Sequence, residues 1–190
     1  MSQIFLQFRY ILPLWFILLI TNWMPDNRFT IRFRGLLASP FFKKCGKNLQ
    51  LGRDLTILNS HSIILGDNIY IAKGTWVNGL GTLIIADEVV IAPYVVISTM
   101  QHLFLNNSVR FGGSIPGKVE IGKGTWLAAH VSIKCGVKIG KGCIIGANAF
   151  VVKDTEDNAI YGGVPAKFIK HNYNSDVAFH SSREILNQKK

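Results

Sequence analysis

The stretch that decides the fold is residues 121–154, IGKGTWLAAHVSIKCGVKIGKGCIIGANAFVVKD. An aliphatic residue returns every six positions, at Ile121, Leu127, Ile133, Ile139, Ile145 and Val151. That is neither the 3.6-residue period of a helix nor the two-residue period of a simple strand. A six-residue period describes one flat face of a triangular coil. The aliphatic residue points inward, and the small residue that usually follows it permits a tight corner. Three faces make a turn of about 18 residues, and stacked turns pair as parallel strands ~4.8 Å apart.

The same rhythm runs back to about residue 51. Leu65, Ile71 and Val77 are followed by Gly66, Ala72 and Asn78; Ile85, Ile91 and Ile97 are followed by Ala86, Ala92 and Ser98. Two-residue slips near 63–65 and 79–84 reset the phase. The expected fold is an all-β solenoid with a hydrophobic N-terminal helical segment and a short C-terminal tail. The expected units are 1–48, 49–164 with a protruding loop at 103–120, and a cap and tail at 165–190. An open solenoid needs its end coils covered, and the two terminal segments can do this. The tail NSDVAFHSSREILNQKK reads as a short polar helix or a mobile end.

Residues 1–48 differ from the rest. Their most apolar part, Tyr10 to Trp23, is short for a membrane-spanning helix, which needs ~20 apolar residues. Pro13 interrupts it. Trp15, Trp23 and several Phe residues meet Arg28, Arg32, Arg34, Lys43 and Lys44. Aromatic and basic residues side by side fit a helix lying at a membrane interface. Helices that cap the solenoid are the equal alternative.

The formal net charge is +10, which suits an anionic partner. The basic residues are dispersed and no nucleic-acid-binding signature appears, so nucleic acid is not an expected partner. Three cysteines, Cys45, Cys135 and Cys143, lack paired spacing and fit small buried hydrophobes in a reducing compartment. No Cys/His cluster has the spacing of a zinc site, and no metal is expected.

The rhythm stops after VVISTMQH, residues 95–102. The stretch IAPYVVISTMQH resembles the segment that ends at the catalytic histidine of galactoside and maltose O-acetyltransferases. Residues 121–154, with Trp126, resemble the C-terminal coils of that family, and YGGVPAKFIK resembles its closing element. The hydrophobic N-terminus looks more like bacterial capsule, exopolysaccharide and lipopolysaccharide O-acetyltransferases of the same hexapeptide-repeat superfamily. The resemblance implies a left-handed parallel β-helix and a homotrimer with active sites between subunits. It also implies acetyl-CoA as acetyl donor and a bacterial surface glycan as acceptor. The location implied is the bacterial cytoplasm or the cytoplasmic face of the inner membrane.

By the same resemblance, His102 is the general base that deprotonates the acceptor hydroxyl. Imidazoles exchange protons near neutral pH and suit such work. An orienting group for His102 is open between Glu120, Asp87, Glu88 and a backbone carbonyl. Asn78, Trp126 and Arg110 are expected near the acceptor; for Asn78 a left-handed corner residue is the equal alternative. Ala128, Ala129, Gly146 and Ala147 would let the pantetheine approach the backbone. Lys153 and Lys167 would meet the anionic nucleotide.

Rival readings use the same fold. A xenobiotic O-acetyltransferase and a sugar-nucleotide N-acetyltransferase are the enzymatic alternatives, and a solenoid scaffold is the non-enzymatic one. A solenoid carbonic anhydrase would need histidines converging on zinc, and His61, His102 and His130 occupy different slots of their repeats.

Overall fold

A computed structural model of the chain describes residues 2–172, so the expected helix or mobile end in the C-terminal tail lies outside the described residues. The chain is a left-handed parallel β-helix of about six turns behind an N-terminal helical segment. Its first face stacks Lys44–Cys45, Ile63–Leu65, Leu83–Ile85, Val119–Ile121 and Lys138–Ile139. The second stacks Gln50–Leu51, Tyr70–Ile71, Val90–Ile91, Trp126–Leu127, Ile144–Ile145 and Ala159–Gly162. The third stacks Thr56–Leu58, Trp76–Asn78, Val96–Ser98, Ser132–Ile133 and Phe150–Val151.

The aliphatic residues read from the repeat all point inward: Ile91, Ile97, Leu127 and Ile145 are wholly buried, and the others are nearly so. A second inward residue lies two positions before each of them. Ile69, Val89, Val95, Val131 and Cys143 fill this row and are wholly buried. Each face therefore offers two side chains to the core with one outward residue between them, the alternation of a strand in miniature. The six-residue reading found one of the two rows, because Thr75, Thr125 and Ala149 break the other's apolar pattern.

Small corner residues have a physical cause. A Cβ on Gly122 would lie 2.5 Å from the Gly140 carbonyl carbon, and one on Gly52 would lie 2.5 Å from the Lys73 nitrogen. The corner from the third face to the first is different. It carries Leu58, Asn78, Ser98, Lys134 and Val152, so bulk is tolerated there. Asn78 is therefore not an exception within its own corner. Both phase slips fall at this same corner, as the turn at Ser60–Ser62 and the turn closed by Thr82 N–H donating to the Gly79 carbonyl.

The helical segment departs from expectation at Pro13. The helix runs unbroken over Gln3–Thr21, 19 residues, and is long and apolar enough by composition to cross a membrane. A π-helical turn at Gln7–Ile11 precedes the proline, with Leu12 N–H donating to the Gln7 carbonyl. The wider turn relieves the ring clash that stops an α-helix at an interior proline. Leu14 joins the solenoid core, while Ile4, Phe8, Trp15 and Trp23 stay more than half exposed.

A second helix, Thr30–Ala38, seals the end coil. Gly35 packs so closely that a Cβ would lie 1.9 Å from the Leu49 carbonyl oxygen. Arg34 is buried, donates to the Leu51, Thr21 and Met24 carbonyls, and pairs with Asp26 at 3.0 Å. This one guanidinium joins both helices to the first full coil. Replacing Arg34 with Ala strands those acceptors and Asp26, and should lower stability by about 3–5 kcal/mol in urea unfolding. A loss below about 1 kcal/mol, the range of a surface pair, would contradict this role.

Candidate active site

The excursion from the prism begins earlier than the sequence rhythm suggested. Met100–His102 and Ser114–Pro116 form a two-stranded antiparallel ribbon, with His102 opposite Ser114. His102 therefore stands on the excursion rather than closing a regular face ahead of a loop at 103–120. The ribbon starts as one more insertion at the third-to-first corner. Thr99 forms its root: its carbonyl accepts from Gly117 N–H at 2.8 Å, and its hydroxyl accepts from Gly81 N–H at 2.8 Å.

Asn78 sits beside this root. It pairs in register with Leu58 on one side and Ser98 on the other. Its amide oxygen accepts from Asn59 Nδ2 at 2.9 Å and from Leu80 N–H at 3.2 Å, and its Nδ2 faces the Met100 sulfur at 3.7 Å. The left-handed residue here is Asn59, with φ of 58°; Asn78 has no positive φ. That removes the corner-conformation reading of Asn78.

A groove of about 470 Å³ runs along the third face beneath the ribbon. Met100, Gln101, Ser132, Lys134, Cys135 and Phe150 help line it. Gln101 was not singled out in the sequence, and Cys135 was expected there only as a small buried hydrophobe, because ribbon and coils come together only through the antiparallel turn-back. Cys135 is half-buried against the ribbon, and a Cβ on Gly117 would lie 2.6 Å from its sulfur. Burial raises its thiol pKa, partly offset by Lys134.

His102 is exposed, and its side chain makes no hydrogen bond or ion pair among the described residues. The three carboxylates considered as its partner are engaged elsewhere. Glu120 pairs with Lys118, Glu88 pairs with Lys123 at 3.1 Å, and Asp87 accepts from Asp67 N–H at 2.8 Å. Arg110, at the tip of the excursion, packs its guanidinium over the Phe111 ring, 5.5 Å from the centroid. Of the other histidines, His61 lies against Tyr10, and His130 stacks on Tyr94 at 5.2 Å.

The remaining expected residues fall in two other places. Trp126 projects outward from the second face, between Val90 and Ile144, so one chain does not bring it to His102. Ala128, Ala129, Gly146 and Ala147 stack at the second-to-third corner. Two of their N–H groups are already used: Ala128 donates to Ile145 and Gly146 donates to Tyr161. Only the Ala129 and Ala147 N–H groups of this set are left without a backbone partner among the described residues. Lys153 follows the last strand of the third face. Lys167 follows Ala166, whose N–H donates to the Phe150 carbonyl, so both lysines sit at the C-terminal end of the prism.

The fold has counterparts among known proteins. Residues 118–153 match the family model described as bacterial transferase hexapeptide (six repeats). Galactoside O-acetyltransferase of Escherichia coli K12 is 30% identical over 166 residues, covering 80% of this chain and 72% of the relative. This chain belongs to the hexapeptide-repeat acetyltransferases. A putative colanic acid biosynthesis acetyltransferase, WcaF, of E. coli K12 is 28% identical over 80% of each chain. A solved galactoside acetyltransferase in complex with coenzyme A superposes with a TM-score of 0.78 at 26% identity, covering 95% of this chain and 92% of that one.

In this member of the family, thiol chemistry reads groove access. Cys143 is fully buried, and burial with Asp67 nearby pushes the Cys45 thiol up to about 11. N-ethylmaleimide should therefore modify Cys135 first, slowly at pH 7 and faster as pH rises toward its raised pKa. Peptide mass spectrometry checks the order; Cys45 or Cys143 reacting first would contradict the groove geometry.

Proposed function

We propose that the protein is an acetyl-CoA-dependent O-acetyltransferase acting on a sugar hydroxyl of a bacterial surface glycan, with His102 as general base. One observation carries this reading: an unpartnered histidine on a ribbon whose neighbours Met100 and Gln101 wall a groove over the C-terminal coils. The likeness to a galactoside acetyltransferase bound to coenzyme A and to a colanic acid acetyltransferase supports the donor and the acceptor class.

In this mechanism the imidazole of His102 takes the proton of the acceptor hydroxyl. The oxygen attacks the thioester carbonyl, and the C–O bond forms as the carbonyl electrons move to oxygen. Backbone N–H groups stabilise that oxyanion. Collapse breaks the C–S bond, and the imidazolium returns its proton to the leaving sulfur. Asn78, beside Met100, orients the acceptor, and Arg110 on the excursion closes over it. The pantetheine runs along the second-to-third corner, with the Ala129 and Ala147 N–H groups as donors. Ala128 and Gly146 keep the wall low, and Lys153 and Lys167 meet the nucleotide end.

Trp126 contributes from a second copy. A site holding both His102 and Trp126 needs the second face of one subunit against the third face of the next. Both faces suit an interface: Val90, Trp126 and Ile144 project from one, and Trp76, Val96 and Phe150 from the other. The first face projects Lys44, Ile64, Ile84, Glu120 and Lys138, three of them charged. This asymmetry supports a homotrimer with active sites between subunits. The functional units are then 1–48 as membrane-facing cap, 49–164 as catalytic solenoid and 165–190 as C-terminal cap and tail.

The N-terminal unit supports attachment to the cytoplasmic face of the inner membrane. Phe29 and Phe33 stack face to face at 6.4 Å beside Arg28 and Arg32, and Leu36 continues the apolar strip. Pinned to the solenoid through Leu14 and Arg34, the helices lie along a bilayer rather than cross it. Anionic headgroups suit the arginines.

Two measurements test this reading. His102→Ala should lower kcat for acetyl transfer by roughly 10²–10⁴-fold, the contribution of a general base; transfer within threefold of the unaltered enzyme contradicts the assignment. Phe29→Ser with Phe33→Ser should cut co-sedimentation with phosphatidylglycerol vesicles at least threefold, and an unchanged bound fraction contradicts membrane docking.

A further inference from the structure

A second groove, about 560 Å³, lies between the first helix and the first coil. Its walls include Leu12, Trp15, Leu18, Leu19, Leu55 and Leu58. Two of its three polar members, Asn22, Asp54 and Thr56, pair with each other: Asn22 Nδ2 donates to Asp54 at 2.8 Å, and Asp54 N–H donates back to the Asn22 amide oxygen at 2.7 Å. Every other residue of the lining is apolar. The groove asks for hydrocarbon.

Its position gives the hydrocarbon a purpose. Leu58, Asn78 and Ser98 are directly paired across successive strands of the third face. At ~4.8 Å per strand, the groove's edge lies ~10 Å below the root of the ribbon that carries His102. At its other side the groove opens onto Leu12, Trp15 and Leu19, which are also among the exposed apolar residues of the helix. One apolar track therefore leads from the helix's outer surface, past Leu58, to Asn78.

We infer that the groove holds the hydrocarbon chain of the acceptor, so that the glycan is acetylated while carried on a lipid. The inference rests on the glycan acetyltransferase reading and specifies its substrate class. A chain seated against Trp15 and Leu19 places the attached saccharide at Asn78 and beneath His102. Sugar recognition near the ribbon is then reinforced by burial of apolar chain. A soluble monosaccharide lacks this anchor.

The probes are 10-bromodecyl β-D-galactoside, whose bromine quenches tryptophan on contact, and methyl β-D-galactoside. Tryptophan fluorescence reads binding and coenzyme A release reads transfer. The bromodecyl compound should quench with saturation below its micelle concentration, and Trp15→Phe should remove more than half of that quench. Its kcat/KM should exceed that of the methyl galactoside at least tenfold, and Leu19→Gln should bring the ratio toward one. Quenching that survives Trp15→Phe overturns the groove. Quenching without preferential transfer overturns the acceptor role and leaves the acetyltransferase reading standing. A change of oligomeric state in Leu19→Gln makes the groove a subunit seam and also overturns it. Transfer to neither galactoside, nor to any glycan on a wider panel, counts against the glycan reading itself.

Discussion

A single coil of this prism has almost no structure of its own. Its strands are two to four residues long, and their backbone groups are satisfied by the coils above and below. The Ala86, Ala92 and Val96 N–H groups donate to Ile121, Leu127 and Val131 in the following coil. Stability therefore comes from neighbours, as in any solenoid, and it requires that consecutive coils stay in register. Two corners keep register by close backbone approach, with Gly52, Gly66, Gly122 and Gly140 leaving no room for a side chain. Everything irregular is pushed to the third corner.

That constraint decides where function can be built. The turn at Ser60–Ser62, the turn near Thr82 and the ribbon bearing His102 enter at the same corner in three successive coils. Leu58, Asn78 and Ser98 line up just before them. A rigid parallel stack thus delivers an imidazole, a polar amide and apolar side chains along one edge without disturbing the core. Carboxylates at the first-to-second corner act as staples: Asp67 and Asp157 accept from the Lys47 and Lys141 N–H groups.

Much of this was legible in the sequence, for a physical reason. Parallel coils of fixed size repeat their inward residues, so Ile121, Leu127 and Ile133 announce the prism directly. The two slips were visible too, since each shifts that period. What the period could not carry is anything formed by pairing across it. The ribbon start at Met100 depends on Pro116, and the groove depends on Gln101 meeting Cys135. The helix through Pro13 was hidden because a π-turn, not composition, accommodates the ring. Trp126 was readable as a family feature, but its separation from His102 within one chain appears only once the faces are assigned.

The central claim is that chemistry occurs on the third face, under the ribbon. A crystal structure of the protein with coenzyme A tests it most directly. The account predicts the pantetheine along the second-to-third corner, at the Ala129 and Ala147 N–H groups, with the sulfur within hydrogen-bond reach of a His102 imidazole. Coenzyme A seated instead on the first face, along Ile84, Glu120 and Lys138, would contradict it.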